Sequence, residues 1–306
     1  MPQTMERSMR TGNASHVLDL YQAGQRDFAC AKLSGLDLID VSLPEINLSR
    51  ADLSFADLRG CDLRRANLGQ SDLRAANLYG ANLCGADLRG AKLDAAKLFQ
   101  ALLGEANFSS TNLTSTRLKE ANLQGACLDD ADLRSLDLGG ADLRGASLIG
   151  ARMQECNLMR ARLEMCDLRR AYLDGANLCE SRLTRARMTR ARLPLADLTA
   201  ALLAWADLRE ADLEGANLCD ADLFQADLGQ ASLAHAQLQR ADLSQAALPW
   251  ADLSWAALDW ANLFRADLSR ANLQNATLKG AKLAEADLTG TKIEPVWPIS
   301  TAHERA

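Results

Sequence analysis

Histidine is almost missing from this sequence, and its three residues, His16, His235 and His303, lie far apart. There is no Cys-x-x-Cys, no His-x-x-x-His and no glycine-rich phosphate loop, so the usual local ligand sets for zinc and nucleotides are excluded. No apolar run approaches 18 residues and no secretory h-region is present, so neither a membrane span nor export is expected. Long loops, where active sites usually sit, are lacking too. No catalytic residue, metal or cofactor is therefore expected, and the protein reads as a non-enzyme.

What is present is a single regularity. Leucine, or a close substitute, stands at every position ending in 3 or 8 from Leu33 to Ile293. That makes 53 consecutive five-residue units without an insertion or deletion, with Phe108, Met153, Met188 and Ile293 as the only other centres. Two residues before the centre, 41 of the 53 units carry alanine. On an α-helix, steps of five rotate by about 140° and scatter the leucines over every side. In an extended segment residues two apart share one side, so each unit points its alanine and leucine the same way and uses the other residues to turn.

The turn chemistry agrees. Pro44, Pro194 and Pro249 directly follow a centre, and glycines such as Gly60, Gly85, Gly90 and Gly145 stand one further on. Proline then glycine suits the two central positions of a type II turn, the second needing φ > 0. If four corners close a coil, the repeat length is twenty and neighbouring coils pair as parallel strands.

Units such as Ala51-Asp52-Leu53-Ser54-Phe55, Ala86-Asp87-Leu88-Arg89-Gly90 and Ala141-Asp142-Leu143-Arg144-Gly145 resemble the pentapeptide-repeat family. The resemblance implies an all-β, right-handed, quadrilateral parallel β-helix, here a solenoid of about 13 coils over residues 28–293. At ~4.8 Å per coil its rod would be on the order of 60 Å long. Residues 1–14 are expected to be disordered and 15–27 to form a helical cap, with Ser15 as N-cap and Gly24 as the stop. Residues 294–306 form a tail in which Trp297 is placed to lie over the last coil. In the first coil Leu36, Val41 and Ile46 replace alanine, as bulk to meet a cap would require.

Cys61, Cys156 and Cys166 take inward positions and the other five cysteines point outward. The nearest aligned outward pair, Cys179 and Cys219, would be two coils or ~9.6 Å apart, beyond disulfide reach. A reduced, cytoplasmic setting is expected. The aspartates before the leucines read as structural, bonding neighbouring backbone or a counterpart one coil away.

Charge is uneven along the chain. Residues 150–192 hold ten arginines and five acids, within a protein of net charge −6. Twenty-residue stacking sets Arg160 against Glu180, Arg144 against Glu164, and Arg187 between Asp167 and Asp207. Arg170 and Arg190 stack like on like, and so do Arg152 and Arg192 around Tyr172. Like charges so placed destabilise, and the five form a candidate surface for an acidic partner, with guanidinium forks suited to carboxylate or phosphate. The alternative is a diverged, solvated surface with Tyr172 held between two guanidiniums. Nucleic acid is disfavoured, because the positive excess is small on a net-acidic chain. Trp250, Trp255 and Trp260 occupy three consecutive corners, as a second contact surface or as shields for those corners.

Three functions compete on this evidence. The family likeness implies either a non-catalytic protein–protein interaction rod, regulatory or scaffolding, or a DNA mimic of the gyrase-protecting, quinolone-resistance kind; an enzyme comes last. The unbroken register and the basic belt favour the rod, as a monomer or an end-to-end dimer.

Overall fold

Every described backbone pairing obeys one rule: residue i bridges residue i+20 in parallel, from Asp27 with Asn47 to Asn272 with Lys292. The computed structural model describes residues 14–293, and in it four five-residue units separate each strand position from its neighbour along the stack. Expectations for residues 1–13 and 294–306 lie outside the described residues. Within a rung, Leu53 N–H donates to the Asp72 carbonyl at 2.8 Å and Asp72 N–H to the Ala51 carbonyl at 2.9 Å. Each unit thus lies between two neighbours, bonded in both directions.

The corners follow from the same register. The carbonyl of each centre accepts the N–H three residues on, as Leu198 does from Ala201 at 3.0 Å. In every described unit except the one ending at Ser115 the second corner residue has positive φ, from 54° at Gln225 to 64° at Trp260 among residues other than glycine. That is the left-handed region, which costs an L-residue roughly 1–2 kcal/mol. Glycine is there in some units only, so the rung bonds on either side must hold the rest in place.

Inside, the leucines and alanines form one continuous core, nearly all fully buried between Leu43 and Ala271. Phe28 is buried as well, which extends the inward register one unit before Leu33. Some residues one past a centre are also buried: Ala204 is only 5% exposed, and Ser54 and Ser244 are 8% exposed. The surroundings of Ala204 carry Leu202, Trp205 and Phe224, whose bulk closes over a small side chain.

Helix α1 (Ala14–Gln22) covers the first coil. Val17 is buried, Tyr21 packs on the core and donates its hydroxyl to the Pro44 carbonyl at 2.7 Å, and Leu36 and Ile46 are buried beneath. Ser15 lies inside the helix rather than at its cap, because the helix starts at Ala14. Gly24 is the stop: with φ +95° it lets its own N–H reach the Tyr21 carbonyl and Gln25 N–H the Leu20 carbonyl, a Schellman pair. At the other end Leu278, Leu283, Leu288 and Ile293 are only partly buried.

Regularity weakens at one place. Among the described residues the rungs Lys92 with Asn112 and Arg117 with Asp137 are missing from the series. Thr111 and Thr116 replace alanine there. The Thr111 hydroxyl donates to the Leu88 carbonyl at 3.1 Å and accepts from Gly90 N–H at 3.3 Å, and Thr116 turns its hydroxyl onto the Leu113 carbonyl at 2.7 Å. The hydroxyls thus share corner carbonyls with backbone and take up the Gly90 N–H.

Candidate interaction surface

The polar residue before each centre is largely consumed by its own unit. Its side-chain oxygen accepts the N–H two residues on, as in Asn47 with Ser49 (3.1 Å) and Asp252 with Ser254 (3.0 Å). Asparagine also donates to an acid one coil away, as Asn157 does to Asp137 at 2.8 Å. These are the two structural roles the sequence implies.

A third role is new. Wherever the unit reads Asp-Leu-Arg, the arginine folds back on the aspartate two residues before it, as in Asp57/Arg59, Asp72/Arg74, Asp142/Arg144, Asp167/Arg169 and Asp207/Arg209, all at 2.6–2.7 Å. The guanidinium holds Asp57, Asp72 and Asp142 below the usual carboxylate range. Asp207, bonded by Arg209 and also by Thr189, is lowered to about 2.

This pairing overturns two expected neighbours. Arg144 does not meet Glu164; it turns to Asp142, and Glu164 takes Arg182 at 2.8 Å. Arg187 pairs with Asp167 alone at 3.0 Å, although Arg169 also holds that acid, while Asp207 takes Arg209 and Thr189. A partner two residues away along the chain lies nearer than one a coil away. Corner arginines have no such partner within the unit, and some pair across coils, Arg160 with Glu180 and Arg190 with Glu210, each at 2.8 Å, whereas Arg50, Arg185 and Arg270 have no acid among the described residues.

Arg170 belongs to the second group. Its corner neighbours are Gly150 on one side and Arg190 on the other, and it has no acid partner among the described residues. It lines an open groove of about 450 Å³ together with Arg190 and with Arg169, Arg187 and Arg209. Thr189, Asp207, Glu210 and Ile149 complete the wall.

The other three residues of the candidate patch stand around the corner. Arg152, Tyr172 and Arg192 are bridged in one column, as twenty-residue stacking requires. Tyr172 is not held between two guanidiniums. Arg192 alone approaches its ring, at 5.9 Å, while donating to Asp174 at 2.9 Å. Arg169 and Arg209 were missed by reasoning from columns of like charge, although both directly precede a corner that Arg170 or Glu210 occupies.

Trp250, Trp255 and Trp260 are all more than half exposed, and each leans on an adjacent corner. The Arg270 guanidinium lies 4.7 Å from the Trp250 ring, and His235 stacks on Trp255 at 6.1 Å. Trp260 lies so close over Gly280 that a Cβ there would clash with the indole. A further aromatic group went unnoticed in the sequence: Trp205 meets Phe224 edge-on at 5.5 Å, its indole N–H donates to Gln225 at 2.6 Å, and Arg185 lies over its ring.

Among the described residues no group of His, Cys, Asp and Glu could hold a metal ion, and no helix is long and apolar enough to cross a membrane. All eight cysteines are free, with Cys61, Cys156 and Cys166 buried. Burial pushes the Cys61 and Cys156 thiols up to about 12, and Cys166 is raised too.

A family model described as Pentapeptide repeats matches in overlapping segments from 27–65 to 261–294. No curated protein sequence matches the chain. Among solved structures, HetL, a pentapeptide repeat protein involved in heterocyst differentiation regulation from the cyanobacterium Nostoc sp. strain PCC 7120, is 33% identical. That similarity covers 92% of this chain and 97% of HetL, with a TM-score of 0.40. QnrB1, a plasmid-mediated fluoroquinolone resistance protein, is 19% identical over 76% of this chain and 89% of its own in a trypsin-treated form, with a TM-score of 0.25. At such TM-scores neither superposition carries weight beyond the family match.

Proposed function

The chain belongs to the pentapeptide-repeat family, and from that premise we propose that it is a non-catalytic protein–protein interaction rod that acts in the cytoplasm. In this reading the rod is a right-handed, four-sided β-helix of about 13 coils, counting four units to a coil. Its basic belt receives an acidic surface of a protein partner. The observation that carries the reading is Arg170, an exposed arginine that has neither an acid nor an aromatic ring against it among the described residues and that shares a groove with four further arginines.

Arg170 and Arg190 form the centre of the contact, with Arg152, Tyr172 and Arg192 extending it around the corner. The tryptophan coil is better read as corner shielding, since each of its rings already covers a neighbouring corner. A DNA mimic would need near-continuous negative charge, and residues 150–192 interrupt it with ten arginines.

The test is capture of partners from native cell extract. Changing Arg170 and Arg190 to Glu abolishes capture in this reading, whereas the same change at Arg144 and Arg160 weakens it little. Added salt lowers binding steeply, since exposed charges are screened beyond ~8–10 Å. If alanine at Trp250, Trp255 and Trp260 removes binding instead, the contact lies on the other coil. Inhibition of gyrase supercoiling by the purified protein would support the mimic.

A further inference from the structure

The groove beside Arg170 has a charge and donor count of its own. Five guanidiniums line it, from Arg169, Arg170, Arg187, Arg190 and Arg209, and four carboxylates answer them: Asp167, Asp207, Glu210 and, at 3.5 Å from Arg209, Asp227. The local excess is one positive charge. Arg190 uses Nε and Nη2 on Glu210, Arg169 and Arg209 use the same edge on their aspartates, and Arg187 uses Nη1. A guanidinium has five N–H donors. Unused donors therefore remain on four arginines, and all of them on Arg170.

The neighbouring corner shows what these side chains accept. Glu210, one coil from Arg190, takes both nitrogens of its fork at 2.8 and 3.3 Å. Arg170 faces Gly150 on one side, a residue without a side chain, and a second arginine on the other. The place an acid would fill in the ladder is left to something outside the chain.

We propose that this groove is a binding site for a phosphate monoester, carried as phosphoserine or phosphothreonine on a protein partner. It rests on the reading of the protein as an interaction rod. Phosphate fits better than a partner's glutamate on two counts. Its charge of about −1.5 to −2 draws on the five guanidiniums more strongly than the single charge of a carboxylate does. It also presents three terminal oxygens to arginines whose free edges outnumber what two oxygens can accept. Arg170 makes the principal fork and Arg190 the second, with Arg169 and Arg209 closing the charge.

The experiment is an NMR titration of the arginine Nε–Hε signals with N-acetyl-phosphoserine amide, inorganic phosphate, N-acetyl-glutamate amide and N-acetyl-serine amide. The phosphoserine probe and inorganic phosphate should shift the Arg170 and Arg190 signals, the glutamate probe should bind about tenfold more weakly, and the serine probe not at all. Arg170→Ala should cost about tenfold or more in phosphoserine affinity and Arg170→Lys less, whereas Arg160→Ala, on another corner, should leave it unchanged. Far-UV circular dichroism of each variant checks that the fold persists. Equal affinity for glutamate and phosphoserine, or indifference to Arg170→Ala, overturns the proposal. Failure here with Arg170-dependent capture of a protein intact would remove the phosphate and keep the interaction rod. Phosphoserine binding without any captured partner would do the reverse.

Discussion

Replacing Ser181 by alanine should make this protein more stable. Ser181 occupies the small inward position, is fully buried, and its hydroxyl meets no hydrogen-bonding partner. Larger groups at that position find one: Cys61 reaches the Leu38 carbonyl at 2.7 Å, Cys156 the Leu133 carbonyl at 2.7 Å, and Thr111 the Leu88 carbonyl at 3.1 Å. A buried hydroxyl left unpaired costs about 1–3 kcal/mol. Its removal deletes one atom and leaves the side chain that 41 of the 53 units already have. The net gain should be about 1–2 kcal/mol, a rise of roughly 2–8 °C in Tm for a chain of this size. Calorimetric melting of the wild type, Ser181→Ala and the reciprocal Ala176→Ser reads the effect directly, and Ala176→Ser should lose what Ser181→Ala gains. Thr111→Ala is the control for a satisfied hydroxyl and should not stabilise in the same way. An unchanged or lowered Tm for Ser181→Ala would refute the reasoning, since it would mean that the hydroxyl was paired after all.

Other perturbations test other parts of the unit. Ala206→Leu overfills an inward column and should cost about 1–3 kcal/mol, whereas Ala284→Leu, on an exposed outward position, should leave the melting curve in place. Ala200 sits at φ 55°, so Ala200→Gly, normally harmful in a strand, should be neutral or stabilise by up to about 1 kcal/mol in the same assay. The Asp207 carboxyl, lowered from 3.8 to about 2 chiefly by its bond to Arg209, contributes stability that is complete above pH 4 and lost as pH falls to 2. Melting across that window should be less steep for Asp207→Asn, and a slope equal to the wild type would contradict the assignment. A thiol reagent should label Cys30 rapidly in the native protein and spare Cys61, Cys156 and Cys166 until denaturant is added.

The fold was legible because its information is periodic. A leucine at every fifth residue determines which side chains enter, and positions twenty apart pair wherever a bridge is found. The corner conformation was legible from Pro and Gly alone, yet it extends to Trp260 and Leu195, where no local preference asks for it. The surface was harder. Column stacking foresaw Arg160 with Glu180 and failed for Arg144, because a side chain chooses among partners along the chain as well as across coils. It brought Arg170 and Arg190 together but not Arg169 and Arg209, which enter the same groove from the preceding position. The burial of Ala204 was not legible for a related reason: burial of an outward residue depends on the bulk of its neighbours, and a five-residue pattern is silent about that.

The two absent rungs at Thr111 and Thr116 give the rod a weak coupling in an otherwise uniform one-dimensional lattice. In such a lattice each coil communicates only with the coils above and below, so cooperativity is transmitted one interface at a time. Two successive softened interfaces then divide the molecule into two melting blocks, one anchored by α1 and the other bearing the arginine groove. Native-state hydrogen exchange would find them as separate foldons, each with its own opening free energy.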